Sequence, residues 1–395
     1  MARSPSEEQR NRRRKRLIQG LVLGGAAVGV PALINLAVAR RARDVPDASW
    51  GSRDTYRFDS GRNRGEVAYQ RLGGGDPILL LHAFGAGHSS AEWRRVAESL
   101  ASSYDVYAPD LPGWGHSDAC EGPLDPSFYV EWLKGFCVEV IGRPAVIVAA
   151  GLPAAYALHL ASREPSAARE PGAAREASAS GESNAARESS TAREPKLVRA
   201  LGLVVPQGLE GHGREPETRD VLIHRMLRSP VLGTSALNVF TSRSAIANYL
   251  RREVYAAGDL VDDALVDLHY TNSHRPGCQR ALAAYVSGFL NHSVKNLLER
   301  VQQPLWIAWG RKATGPAVES ADLWLLRLRQ AELEIFEQAG VLPHAESPEE
   351  FSRKLERFLL DLPPHDPQAL DPSSFDSNRE GEEADGPAAS DSTTT

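Results

Sequence analysis

Apolar runs alternate with amphipathic stretches along most of the chain. The short alternating segments TYRFD and EVAYQRL come first, followed at intervals by PILLLH, YDVYAPD, VIVAA, KLVRALGLVVP, QPLWIAWG and AELEIFE. Between these runs, stretches such as SSAEWRRVAESLASS and SPEEFSRKLERFLLDL place apolar residues at helical spacing. Strands that alternate with helices, with continuous apolar runs in the later strands, predict a mostly parallel α/β sheet covered by helices on both faces.

This pattern divides the chain into a body and several appended segments. The body is predicted over residues 54–361, after a polar linker at 44–53. Residues 209–300 read as helical throughout, which predicts a cap inserted over one end of the sheet. Residues 163–195 repeat the units AARE and REP, which favours a low-complexity surface loop with nothing apolar to bury. The acidic segment 362–395 reads as a disordered tail.

The chain begins with a basic N-terminus, residues 1–16, and continues with an uncharged run, LIQGLVLGGAAVGVPALINLAVA, at residues 17–39. As a helix this run would reach about 34 Å, enough to cross a bilayer. Seven basic residues precede it and three follow closely, which favours a cytoplasmic N-terminus and a body on the far side of the membrane. We therefore expect a single-pass membrane anchor. A signal peptide cleaved after residues 37–39 and a peripheral helix packed on the body are the alternatives.

Composition narrows the range of partners. The net charge of -6 combines about +8 in residues 1–43 with about -14 in the rest of the chain, and an acidic body argues against nucleic acid as a partner. The three cysteines are widely spaced, so neither a disulfide framework nor a metal site follows from them. We expect no metal and no cofactor.

Five segments together resemble the α/β-hydrolase superfamily. LLLHAFGAG resembles the family's His-Gly loop after the third strand, with Ala83 where glycine is usual, and YAPDLPGWGHSD resembles the segment after the fourth strand. VIVAAGLPAA resembles the nucleophile elbow, WIAWGRKATGP the acid strand and its loop, and FEQAGVLPHAESPEEF the loop that carries the catalytic histidine. The resemblance implies an α/β-hydrolase fold with a helical cap.

The same resemblance implies that all three catalytic positions are substituted. Acyl transfer in this fold needs a nucleophile, an imidazole that takes its proton and a carboxylate that orients the imidazole. The nucleophile position falls on Gly151, the acid position on Ala313 and the histidine position on Val341. None of these side chains can perform the corresponding step.

Other polar residues offer only partial replacements. Ser89 and Ser117 do not follow a buried strand and open a helix, as the elbow requires, so we expect Ser89 to cap a helix and Ser117 to be structural. His82 is expected to order the loop behind the oxyanion site, and Asp110 to hold the turn after the fourth strand. His344, three residues past the vacant histidine position, is a candidate for residual chemistry or a structural loop residue.

Glycine at the elbow is physically reasonable. The turn forces its central residue into a strained conformation that only glycine adopts easily, so Gly151 relaxes the turn, and Pro153 suits the first turn of the following helix. By the resemblance, the backbone N–H groups of Phe84 and Leu152 would still point into the oxyanion site.

These observations favour a membrane-anchored protein of α/β-hydrolase fold that has lost hydrolytic chemistry and acts by binding. The ligand would be a small apolar molecule under the cap, or a protein partner. The alternative is an active hydrolase or lyase with a rebuilt site that uses His82, His344 or a cap residue such as His212.

Overall fold

The computed structural model describes residues 31–38, 40, 50–164 and 196–364. The predicted low-complexity loop and acidic tail lie almost entirely outside these residues, as does most of the predicted anchor. Among the described residues no helix is both long and apolar enough to cross a membrane. The spanning helix, of which only residues 31–38 are described, therefore stays a prediction.

Eight strands form one sheet, and its order in space is β1-β2-β4-β3-β5-β6-β7-β8. β1 and β2 pair antiparallel, as do β2 and β4, whereas every other neighbouring pair is parallel. The expected mostly parallel sheet is thus confirmed. The strands are β1 (Ser52–Asp59), β2 (Arg64–Gly73), β3 (Asp76–Leu81), β4 (Tyr104–Pro109), β5 (Ala145–Ala150), β6 (Val198–Val204), β7 (Leu305–Gly310) and β8 (Ala331–Phe336).

Helices cover both faces of this sheet. All six residues of β5 and all six of β7 are buried, which requires packing on each side of the pleat. α2 packs against α12, and α3 packs against α4. The described helices are α1 (31–38), α2 (Arg94–Leu100), α3 (Pro126–Phe136), α4 (Pro153–Ser162), α5 (Thr218–Leu227), α6 (Leu232–Phe240), α7 (Arg243–Tyr249), α8 (Asp263–Ser273), α9 (Cys278–Val286), α10 (Ala321–Arg327), α11 (Pro343–Glu346) and α12 (Pro348–Leu360).

The helices α5 to α9 lie between β6 and β7, in the segment predicted as the cap. α8 holds the loop that follows β3. Nδ1 of His269 lies 2.8 Å from the carbonyl oxygen of Ala86, and the amide of Asn272 donates to the carbonyl oxygen of Gly87 at 3.2 Å. A Cβ atom on Gly87 would lie 2.1 Å from the carbonyl oxygen of His269, so the close approach of loop and helix requires glycine there. The cap thereby fixes the loop below it.

Candidate functional site

The loops that follow β3, β5, β7 and β8 meet at the carboxyl edge of the parallel strands, where ligands bind in open α/β sheets. A cavity of about 200 Å³ lies there, between this edge and the cap. Its fifteen lining residues are Ala83, Phe84, His88, Gly151, Leu152, Gln207, His212, Tyr249, Glu253, Val254, Tyr285, Thr314, Gly315, Val341 and Leu342. The cavity therefore collects residues from the sheet loops and from the cap.

Gly151 lies at the tight turn between β5 and α4. Its φ of +64° is left-handed, and its amide donates to the carbonyl oxygen of Val204 at 2.9 Å. Gln207 in turn donates its amide to the carbonyl oxygen of Gly151 at 3.2 Å. A Cβ atom on Gly151 would meet only Cβ of Ala83, at 3.7 Å, so the space beyond the turn is open. The predicted elbow is thus built, and it offers no side chain to the cavity.

Ala313 and Val341, predicted to occupy the acid and histidine positions, lie in the loops after β7 and β8. Ala313 follows β7 and is buried, with its amide donating to the carbonyl oxygen of Gly310 at 3.1 Å. Val341 follows β8 and lines the cavity, and its amide donates to Val254 of the cap at 2.9 Å. Neither side chain can bind or transfer a proton.

The residues expected to supply oxyanion amides, Phe84 and Leu152, both line the cavity. Phe84 stacks on Trp114 with ring centroids 4.8 Å apart, which fixes the backbone of its loop. Leu152 stands at the start of α4, where amide groups without a helical partner carry the positive end of the helix dipole. This corner of the cavity suits a carbonyl or carboxylate oxygen.

A histidine that the sequence analysis did not single out faces the cavity. His88 is buried, and its Nδ1 lies 2.8 Å from Oε2 of Glu92, four residues later. Its other ring nitrogen, Nε2, has no hydrogen-bond partner among the described residues. A Cβ atom on Gly85 would lie 2.6 Å from Cδ2 of His88, so glycine leaves room for the ring. The spacing of His88 and Glu92 in the sequence was the available signal.

The carboxylate of Glu92 contacts two histidines and the backbone of the loop after β3. Its Oε1 accepts from the amide of Ala83 at 2.8 Å and lies 3.2 Å from Nε2 of His344. Burial alone would raise the pKa of Glu92, but the hydrogen bonds from His344 and His88 outweigh it and hold the pKa well below its usual range. Because an ionised carboxylate only accepts hydrogen bonds, Nδ1 of His88 carries a proton in this contact.

His82 and His344, the two histidines that the sequence favoured, do not line the cavity. Nδ1 of His82 lies 2.8 Å from the carbonyl oxygen of Ala83, and its Nε2 accepts from the amide of Leu111 at 2.9 Å. His344 stacks on Trp93, with centroids 3.8 Å apart, and uses Nε2 on Glu92. Burial lowers the pKa of both rings. In the structure, His88 and His212 are the histidines that reach the cavity.

Ser89, Ser117 and Asp110, which were expected to be structural, form hydrogen bonds with backbone groups. Ser89 caps the short 3-10 turn Ser90–Trp93, where its oxygen accepts from Ala91 at 3.4 Å. The hydroxyl of Ser117 donates to the carbonyl oxygen of Asp110. The Asp110 carboxylate accepts from the amides of Ser90, at 2.7 Å, and His116, at 2.8 Å. Neither serine lines the cavity.

Several residues that line the cavity carry polar side chains. Nε2 of His88 and Oε1 of Gln207 are buried without a hydrogen-bond partner among the described residues. The ring of His212 stacks on Tyr285 with centroids 5.7 Å apart, and burial lowers the pKa of His212 and raises that of Tyr285 to about 12. Within the described ranges, no group of His, Cys, Asp and Glu side chains is arranged to hold a metal ion.

The sequence profile described as the Alpha/beta hydrolase family matches residues 78–354, which is most of the chain. The protein belongs to the α/β-hydrolase family. The match includes the elbow, the cap and the loops that build the cavity. It confirms the resemblance drawn from the five motif segments, whereas the roles assigned to single residues rest on the geometry above.

Relatives within the family include esterases. A pimeloyl-[acyl-carrier protein] methyl ester esterase of Aeromonas salmonicida is 31% identical over 99 residues, which cover 25% of this chain and 37% of the esterase. An uncharacterised protein of Mycobacterium tuberculosis is 24% identical over 304 residues, 74% of this chain and 77% of that protein. The structure of an esterase from Thermogutta terrifontis superposes with a TM-score of 0.59 at 16% identity, covering 79% of this chain and 99% of the esterase. This structural likeness shows the shared fold.

Proposed function

We propose that this α/β-hydrolase-family protein binds a small, largely apolar molecule in the cavity above Gly151 and forms no acyl-enzyme. One observation carries the proposal: none of the fifteen described residues that line the cavity is a serine, cysteine or aspartate. Thr314 is the remaining short hydroxyl there, and it donates to the carbonyl oxygen of Glu253 at 2.9 Å.

The cavity also indicates what kind of molecule it would hold. Phe84, Val254, Val341 and Leu342 give it apolar walls, which suit a hydrocarbon body. Nε2 of His88 would form a hydrogen bond with a ligand hydroxyl, and the amides near Gly151 would donate to a carbonyl oxygen. A small apolar carboxylic acid in its protonated form supplies both groups. For scale, an apolar cavity of about 150 Å³ binds benzene, and this one measures about 200 Å³.

Ligand-induced stabilisation tests the binding proposal. Hexanoic and benzoic acid should raise the melting temperature of the protein, since a ligand at a hundred times its Kd adds about 2.7 kcal/mol to the free energy of unfolding. Val341→Phe fills the cavity and should remove the effect. Ser99→Trp, in a separate surface cavity, is the matched control and should retain it. Equal stabilisation of the Val341→Phe variant and the wild type would contradict binding above Gly151.

A second candidate function is favoured by the pairing of His88 with Glu92. An imidazole oriented by a buried carboxylate is the usual general base of acyl transfer. Here it could take a proton from water as the water oxygen attacks an ester carbonyl held by the amides of Phe84 and Leu152. The proton would then pass to the departing alkoxide, giving acid and alcohol with no covalent intermediate.

Ester turnover separates the two candidates. The binding proposal predicts no hydrolysis of p-nitrophenyl butyrate above that in buffer. The rebuilt-site alternative predicts turnover that His88→Asn abolishes and that a phosphonate inhibitor leaves intact. His224→Asn is the control, because His224 lies on α5 outside the cavity and pairs with Ser287 at 2.9 Å.

We further propose that residues 17–39 anchor the protein in a membrane, with the N-terminus in the cytoplasm and the body on the far side. The support is the length of the uncharged run and the excess of basic residues before it. A carbonate wash of membranes tests the proposal. An integral anchor resists the wash, a peripheral helix is removed, and a cleaved signal releases a soluble product that begins at Arg40.

A further inference from the structure

The cap carries an exposed apolar surface that the binding site does not use. Among the described residues, fifteen large apolar side chains are exposed, and ten of them lie on α1, α5 and α6. Of these ten, the most exposed are Leu33 at 69%, Leu222 at 70%, Leu232 at 69%, Val239 at 69% and Phe240 at 70%. We call the exposed apolar residues of these three helices the apolar crown. Contiguous exposed apolar surface of this kind marks an interaction site.

The crown is continuous because polar contacts join α1 to α6. The amide nitrogen of Asn35 donates to Oγ of Ser235 at 3.2 Å, and Oδ1 of Asn35 accepts from the amide of Asn238 at 2.9 Å. Leu232 and Val239 stand three residues before and four residues after Ser235, so all three share one face of α6. These two apolar side chains therefore flank the point where α1 rests on the cap.

Charge distinguishes the crown from the rest of the acidic body. α1 and α6 contain no charged residue, and the exposed Arg225 and Arg228 stand beside the crown at the end of α5. A helix that is apolar on one face and bordered by arginine suits the interface of a bilayer with anionic lipids.

The residues that precede α1 also indicate that a membrane lies against the crown. Residues 17–30 immediately precede α1, carry no charge and form most of the proposed anchor. Because α1 belongs to the carboxyl-terminal end of the proposed anchor and Asn35 joins it to α6, the crown would lie at the membrane surface where the anchor leaves the bilayer. We propose that the apolar crown of the cap lies on the surface of an anionic bilayer, with Leu222 and Phe240 inserted among the lipids. This inference rests on the proposed anchor.

Fluorescent labelling of the full chain tests whether the crown contacts lipid. The three native cysteines are buried, and burial raises the pKa of each thiol, so dyes that react with thiolate will select an added exposed cysteine. Phe240→Cys and Leu222→Cys carry an environment-sensitive dye on the crown. Leu326→Cys, 72% exposed on α10, is the matched control. The labelled proteins are reconstituted in vesicles of phosphatidylcholine and phosphatidylglycerol, some with spin-labelled lipid.

We expect the dye at residues 222 and 240 to emit at shorter wavelength and to be quenched by the spin-labelled lipid, while the dye at residue 326 does neither. Emission typical of water at residues 222 and 240, from protein that floats with the vesicles and resists carbonate, would overturn the inference and leave the anchor standing. A shift without quenching would also overturn it, because protein would then cover the crown, either residues 17–30 or a second copy. Protein that does not float with the vesicles would refute both crown and anchor.

Discussion

Nδ1 of His88 lies 2.8 Å from Oε2 of Glu92, and this contact orients the ring of His88, which lines the cavity above Gly151. The carboxylate that holds His88 also accepts from Ala83 and His344. One buried negative charge thus orders the loop after β3, the loop after β8 and the ring of His88 in the cavity wall.

Replacing Glu92 should lower the stability of the protein. In Glu92→Gln a neutral amide replaces an acceptor that serves three donors, and breaking a buried charged contact costs about 3–5 kcal/mol. We expect the free energy of unfolding, measured in urea, to fall by at least about 2 kcal/mol. Glu98→Gln, which breaks the exposed pair between Glu98 and Arg94, should change it by less than about 1 kcal/mol. Equal stability of the Glu92→Gln variant and the wild type would refute the ionised network.

His269, on helix α8 of the cap, should make the free energy of unfolding depend on pH. Burial lowers the pKa of His269 to about 4, whereas in the unfolded chain a histidine titrates near its ordinary value of about 6.5. Between these values the unfolded state binds the extra proton, so the free energy of unfolding falls as the pH falls from about 6.5 to 4, by up to about 1.4 kcal/mol per pH unit for this residue.

His269→Asn isolates this contribution. The variant should show a shallower decline of stability over the same pH range, whatever its stability at neutral pH. Urea unfolding of both proteins at several pH values gives the two slopes. Parallel slopes would show that His269 is protonated as readily in the folded protein as in the unfolded chain.

The left-handed backbone conformation of residue 151 should require glycine. A residue with a Cβ atom at φ +64° costs about 1–2 kcal/mol, although the nearest atom to that Cβ is 3.7 Å away. We expect Gly151→Ala to lower the free energy of unfolding by about 1 kcal/mol or more. Gly74→Ala is the control, since no atom lies within 4 Å of its added Cβ and its φ is not left-handed. A loss no greater than that of the Gly74→Ala variant would contradict a left-handed elbow.

Shortening the low-complexity loop should preserve stability if one glutamate is kept. Oε1 of Glu164 accepts from the amides of Leu197 and Val198, each at 2.7 Å. Deleting residues 163–192 places Glu194 two residues after Ser162, at the spacing that Glu164 has now. The melting temperature should then stay nearly unchanged, because loop length contributes little to closure entropy.

The same deletion with Glu194→Ala is the matched control. It should melt several degrees lower, because two buried amides lose their acceptor. If both shortened proteins melted together, Glu194 would not have replaced Glu164. If both melted far below the wild type, the deleted residues would themselves contribute to the fold.

The sequence predicted the sheet and the location of the cavity because these follow from local patterns. Apolar runs and the five motif segments place Gly151, Ala313 and Val341 in their loops without any knowledge of packing. His88 was missed because its orientation depends on contacts distant in sequence. Its loop is held by Asn272, 185 residues from Gly87, and its carboxylate is shared with His344, 252 residues from Glu92.

The cap shows the same limit. Helical spacing in α5 and α6 predicts apolar faces but not which of them packs inward. Leu237 is buried in the structure, whereas Val239 and Phe240, two and three residues later, are exposed. The choice depends on how α6 meets α9 and α1, and neither contact can be read from the segment itself.

Intact-mass spectrometry after treatment with a fluorophosphonate tests the central proposal, the absence of a nucleophile, most directly. The probe adds a fixed mass to any serine activated by a neighbouring base. With Gly151 at the elbow, the wild-type protein should gain no adduct after long incubation, and an active serine esterase treated alongside should be fully labelled. Stoichiometric labelling of one residue of this protein, mapped by peptide fragmentation, would contradict the proposal. The labelled residue would then be the nucleophile.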